Sequence, residues 1–234
     1  MALTGCTEVR SGQLATPVEG EAARALSAQL VTVVMQPERS DHLLIAADAE
    51  PILTLLIPPG TPMVLPDALP SEGMGRTAGS TNSLGDCMIT GQQSATYADC
   101  DVAGHIIDGT WSEHLSNAQS SIHAEMSDVL VAGSDGYWSV ALDASLQRRT
   151  EPASGAESLR TDLAIAGDLD VGVTWSAEGR DYFLDAAVRV DGLTIVDDCA
   201  VAGTVTLTGK LGDAPVGPTT IWFGPSCGEV QISR

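Results

Sequence analysis

Three histidines, His105, His114 and His123, fall nine residues apart with Glu113 and Glu125 nearby, and imidazole with carboxylate is a donor set that suits zinc or copper. On an extended chain residues nine apart lie about 30 Å from one another, so these side chains would meet only if a hairpin folded back in a favourable register. Polar histidines on a solvated strand face explain such unspecific spacing more simply, and no metal ligand is assigned. The acid pairs Asp99/Asp101, Asp168/Asp170 and Asp197/Asp198 are of the type used in glycoside hydrolysis or calcium binding. Neither an EF-hand loop nor a Gly-Gly-x-Gly-x-Asp repeat accompanies them, and acids at strand ends commonly form turns. Gly224-Pro225-Ser226-Cys227-Gly228 matches a nucleophile elbow in letters alone, because the six residues after Gly228 include no histidine or aspartate to complete a triad. Phosphate-binding glycine loops and the Rossmann fingerprint are absent. The expectation is no catalytic residue, no cofactor and no metal.

Cysteine is more informative. Four of the five, Cys87, Cys100, Cys199 and Cys227, fall in the second part of the chain, and no Cys-x-x-Cys or Cys/His pair has zinc-ligand spacing. Four cysteines allow three pairings. Local pairing, Cys87 with Cys100 and Cys199 with Cys227, would staple a bend in each half; the rival pairing of Cys100 with Cys199 would join two copies of a short echo. That echo is Asp99-Cys-Asp-Val-Ala-Gly-His against Asp198-Cys-Ala-Val-Ala-Gly-Thr, each read as a tight bend followed by an alternating strand, with Gly104 and Gly203 supplying backbone freedom.

The fifth cysteine stands apart in Leu3-Thr4-Gly5-Cys6, which resembles the lipobox of bacterial envelope lipoproteins. In that family signal peptidase cleaves before the cysteine, which then carries a lipid anchor. The resemblance covers four residues. It implies an extracytoplasmic, lipid-anchored protein, with the membrane as a partner through Cys6. The basic and apolar regions of a leader do not precede Cys6, so a trimmed leader is expected. Setting Cys6 aside leaves an even number of cysteines, as an oxidising compartment favours.

Charge narrows the partners. Thirty-one acidic residues against eleven basic ones give a net charge of −20, which repels phosphate backbones, so nucleic acid is excluded as a partner. The acids are spread along the chain, as on a soluble surface.

The elements follow from pattern. Residues 1–15 read as an N-terminal tether and residues 16–83 as a helix plus apolar connecting region. Within the latter, Thr16-Pro17-Val18-Glu19 is a helix start with a capping box. Val18, Ala22, Ala25, Leu26, Gln29, Leu30, Val33 and Val34 recur at helical spacing up to Pro37. Asp48, Glu50 and Pro51 interrupt the apolar stretch 41–59, which therefore divides into two short core pieces and does not span a membrane. The second piece, Ile52 to Ile57, fits strand or helix equally. Pro58 to Ser83 reads as a long connection.

Residues 84–234 form a β body of short alternating runs separated by Gly, Asp and Ser. Candidate strands lie at 87–90, 105–113, 121–132, 137–148, 159–167, 170–177, 182–190, 193–196, 203–211, 219–223 and 229–233. Links this short join antiparallel neighbours. The fold class is thus mainly β: an antiparallel meander forming a curved sheet or partly open barrel, with the N-terminal amphipathic helix packed on it. Trp111, Trp138 and Trp175 each fall inside a strand and read as core or rim anchors. In outline this arrangement is similar to carriers that hold acyl chains between a curved sheet and helices, an analogy of fold alone. The expected function is a non-enzymatic envelope lipoprotein acting as a binding or scaffold module for an apolar ligand or a surface protein. The alternative is a secreted hydrolase with an acidic active site.

Overall fold

A computed structural model describes residues 12–35, 43, 46, 48–57, 87–102, 105–116, 119–130, 138–152, 161–177, 180–197 and 199–234. Cys6, the connection from Pro58 to Ser83, Gly104 and Asp198 lie outside the described residues. Eleven strands form one antiparallel sheet: β1 (Gln13–Leu14), β2 (Met88–Thr90), β3 (Ser94–Val102), β4 (His105–Ser116), β5 (Gln119–Leu130), β6 (Trp138–Pro152), β7 (Thr161–Ala177), β8 (Arg180–Val196), β9 (Cys199–Leu211), β10 (Ala214–Phe223) and β11 (Val230–Ser233). Neighbours in space are neighbours in sequence from β2 to β11, and β1 adds outside β11. This is the expected meander, and it stays open. Its two edges are the shortest strands, of two and three residues.

Alternation decides which side is dry. Val140, Leu142, Ala144 and Leu146 on β6 lie beside Leu169, Val171, Val173 and Trp175 on β7, and all are buried. On the other side of the same strands Asp143, Asp168 and Asp170 are exposed, and Gly172 and Thr174 are half-buried. A strand has period two, so one sequence supplies both faces.

Among the described residues helices cover the dry face, and the helical residues Leu43 and Ala46 are buried with them. Helix α1 (Pro17–Val34) begins as its sequence directs: the Thr16 side chain accepts from the Glu19 backbone N–H, and a Glu19 carboxylate oxygen accepts from the Thr16 N–H at 2.9 Å. The buried face is Ala22, Ala23, Leu26, Leu30, Val33 and Val34, with Gly20, Ser27 and Gln29. Two members of the expected stripe are corrected, since Val18 is 65% exposed and Ala25 also faces solvent. The small residues Gly20, Ala23 and Ser27 take their place and turn the buried arc, because hydrophobicity alone undervalues small side chains at a tight contact. Helix α2 (Glu50–Leu56) settles the ambiguous second core piece as helix, started by Pro51 in its first turn and packed on α1, β9 and β10. Among the described residues no helix is long and apolar enough to cross a membrane.

The capping box gives a first expected result. The Glu19 pKa is held below the ordinary carboxylate range, first by the Thr16 backbone hydrogen bond and further by the Thr16 hydroxyl and Arg234; burial opposes the shift. A depressed folded-state pKa contributes stability above the unfolded-state value and loses it as pH falls through the folded value. Thr16→Ala should therefore cost about 1 kcal/mol at neutral pH. Its cost should shrink once Glu19 is protonated, as read by urea denaturation at neutral and acidic pH.

Several expected boundaries move. Runs 159–167 and 170–177 are one strand, β7. Runs 182–190 and 193–196 are likewise one strand, β8, and Asp191-Gly192 is a bulge where a turn was expected. Buried positions change there from Leu184, Ala186, Val188 and Val190 to Leu193 and Ile195, which is what one inserted residue does to a period of two. Gln13 and Leu14, inside the stretch expected as tether, pair with Ile232 and Gln231.

Candidate functional site

Each group of chemically capable residues has a definite place. The four cysteines form the local pairs: Cys87–Cys100 and Cys199–Cys227 are disulfides. Their loops of 13 and 28 residues give chain-entropy stabilisation of about 3 kcal/mol, somewhat more for the longer. The echo around them does not fold as two equal bends. Cys100 is buried inside β3, paired with Ile107 after a bulge at Asp99, whereas Cys199 opens β9 after the turn at Asp197. Gly203 does supply the backbone freedom expected, at φ +108, where a Cβ would meet the Gly192 carbonyl oxygen at 2.5 Å.

The Gly-x-Ser-x-Gly segment is the link between β10 and β11, closed by Gly224 N–H to Glu229 O at 2.9 Å and Glu229 N–H to Ser226 O at 3.0 Å. It is no strand-to-helix elbow.

The helices are fixed to the sheet by polar contacts at their C-terminal ends, where backbone carbonyls have no partner within the helix. Trp111 Nε1 on β4 donates to Val33 O at 2.7 Å, and Arg148 on β6 donates to Val34 O at 2.7 Å. Arg148 also pairs with Glu113 and brings a positive charge to a helix end that has no basic residue of its own. The Thr219 hydroxyl donates to Leu55 O of α2 at 3.1 Å. Trp111 and Trp175 are both buried core anchors. Glu113 thus belongs to the helix anchorage, on the opposite side of β4 from His114.

Among the described residues two recesses open at the rim. One, of about 470 Å³, lies between the start of α1 and strands β1 and β11, lined by Gln13, Leu14, Thr16, Glu19, Ile232, Ser233 and Arg234. The Glu19–Arg234 ion pair, at 3.0 Å, crosses it. The other, of about 260 Å³, runs between α1 and α2 and carries Glu21, Asp48 and Glu50 with Val18, Ala22, Ala25, Pro51 and Thr54. Burial, then the charges of Asp48 and Glu21, push the Glu50 pKa up. A raised folded-state pKa favours the fold below the unfolded value and loses that contribution as pH rises through the folded value. Glu50→Gln should therefore raise the melting temperature at neutral pH and lose this advantage under acid, by scanning calorimetry at the two pH values.

The histidines separate. His105 is buried at the start of β4, while His114 and His123 share the outer face of the β4–β5 hairpin in adjacent rows. His123 sits instead among acids: its Nε2 is 3.5 Å from Glu125 and its Nδ1 is 3.8 Å from Asp143. Asp143 went unnoticed in the sequence because it reaches His123 only through the β5–β6 register, which pairs it with Glu125.

The class that the described residues define is a two-layer protein, an open β meander under helices, stapled by two disulfides. No protein family, curated protein or solved structure matches the chain.

Proposed function

We propose that this is a non-enzymatic envelope lipoprotein, anchored outside the cytoplasm through a lipid on Cys6, that acts as a binding or scaffold module. The observation that carries the reading is the division of the sheet into two faces. The covered face is closed by side chains of α1 and α2, among them Leu26, Leu30, Val33, Ile52, Leu53 and Leu55 with no exposed surface, while the outer face stands open over several long strands. Among the described residues the dry face is occupied by helix side chains, which favours a scaffold over a carrier. An apolar ligand would have to lie where those helices lie, on a face built largely of Val, Leu, Ile and Ala. Two disulfides are consistent with an oxidising compartment.

Among the described residues the hydrolase alternative has a candidate in the groove with Glu21, Asp48 and Glu50. Its carboxylates line a small surface recess whose described lining includes no histidine. The test is expression of the chain behind a lipoprotein leader, followed by fractionation and organic extraction. Wild type in the membrane fraction and Cys6→Ser in the soluble fraction supports the anchor; equal solubility refutes it. An extracted apolar molecule at one per chain would move the reading from scaffold to carrier.

A further inference from the structure

We infer that the outer face of the sheet carries a site for a divalent transition-metal ion of the zinc class, held by His123, Glu125 and Asp143. The inference is independent of the envelope reading and stands on side-chain placement. His123 and Glu125 are two residues apart on β5, so both point outward, and Asp143 is directly opposite Glu125 on β6. One ligating atom from each lies within 4.8 Å of the other two. Ligands of one metal ion at bond lengths near 2 Å stand about 3 Å apart, so small side-chain rotations close the set. All three side chains are more than half exposed, which leaves room for water to complete the coordination.

The charge around the cluster supplies a second reason. Glu125, Asp143 and Asp170 form a lateral row on three consecutive strands, each directly opposite the next, flanked by the uncharged Thr110 on β4 and Ala187 on β8. Like charges directly opposite across a sheet destabilise it. The adjacent row runs Ser112, His123, Ser145, Asp168 and Arg189, and its single guanidinium lies opposite Asp168, three strands from His123. A bound dication answers this unbalanced row directly. The imidazole nitrogen among the oxygen donors selects zinc, copper or nickel over calcium and magnesium, which prefer oxygen alone.

Isothermal titration of the intact, chelator-treated protein with zinc chloride tests this, beside calcium chloride and beside His123→Ala, Asp143→Asn and His114→Ala. These positions are exposed, and circular dichroism establishes that each variant is folded. The expected result is one zinc per wild-type chain, bound more tightly than calcium, with a zinc-dependent rise in melting temperature. His123→Ala and Asp143→Asn should each weaken binding about tenfold or more, and His114→Ala should leave it unchanged. No zinc uptake at millimolar zinc, an isotherm unaltered by His123→Ala, or a loss that follows His114→Ala would overturn the assignment.

Discussion

Gly224→Ala is expected to destabilise the protein by about 3 kcal/mol or more, at the large end of single-substitution effects, because the new Cβ collides with backbone. Gly224 is buried at φ +86, and a Cβ there would lie 1.6 Å from the carbonyl oxygen of Val201. The obstacle is main chain, so no rotamer change relieves it. Three strands meet at this point: β10 ends, β11 begins six residues on, and β9 passes alongside, tied in by Cys199–Cys227. A shift of Gly224 must therefore disturb all three together. Urea denaturation without reductant measures the loss, and a cost below about 1 kcal/mol would mean that the link between β10 and β11 yields more easily than its geometry allows.

Arg148→Met should cost about 2 to 3 kcal/mol. The arginine is 18% exposed and Glu113 is 15% exposed, so removing the cation leaves a largely dehydrated carboxylate without its partner. It also frees Val34 O at the end of α1. Methionine keeps the aliphatic stem's packing, which isolates the charge. Glu113→Gln is expected to cost less, since an amide still accepts a hydrogen bond. In the double variant the two losses should not add; a coupling of about 1 kcal/mol or more is expected. Full additivity would show that the two side chains act separately.

Much of the fold was written locally. The period-two runs of β5 to β8 and the glycine and aspartate links between them announce an antiparallel meander. Thr16-Pro17-Val18-Glu19 names the first turn of α1 almost atom for atom. What stayed hidden depends on contacts distant in sequence. Strand β3 was missed because Ser94 to Asp99 carries a single large side chain, Tyr97, and its pairing with β4 supplies the rest. Gly192 looks the same in a turn and in a bulge, and only the neighbouring strands decide which. Trp111 was legible as an anchor, but its bond to Val33 spans 78 residues and leaves no local trace. The outer-face cluster was half visible: His123 and Glu125 stand out together, whereas Asp143 joins them through register alone.

Non-reducing peptide mapping of the alkylated protein, isolated from the cells that make it, tests the central claim most directly. The expected result is two linked peptide pairs, Cys87 with Cys100 and Cys199 with Cys227, and a lipid-bearing peptide that begins at Cys6. Four alkylated thiols at the paired positions, with Cys6 unmodified, would contradict both the staples of the sheet and its place outside the cytoplasm.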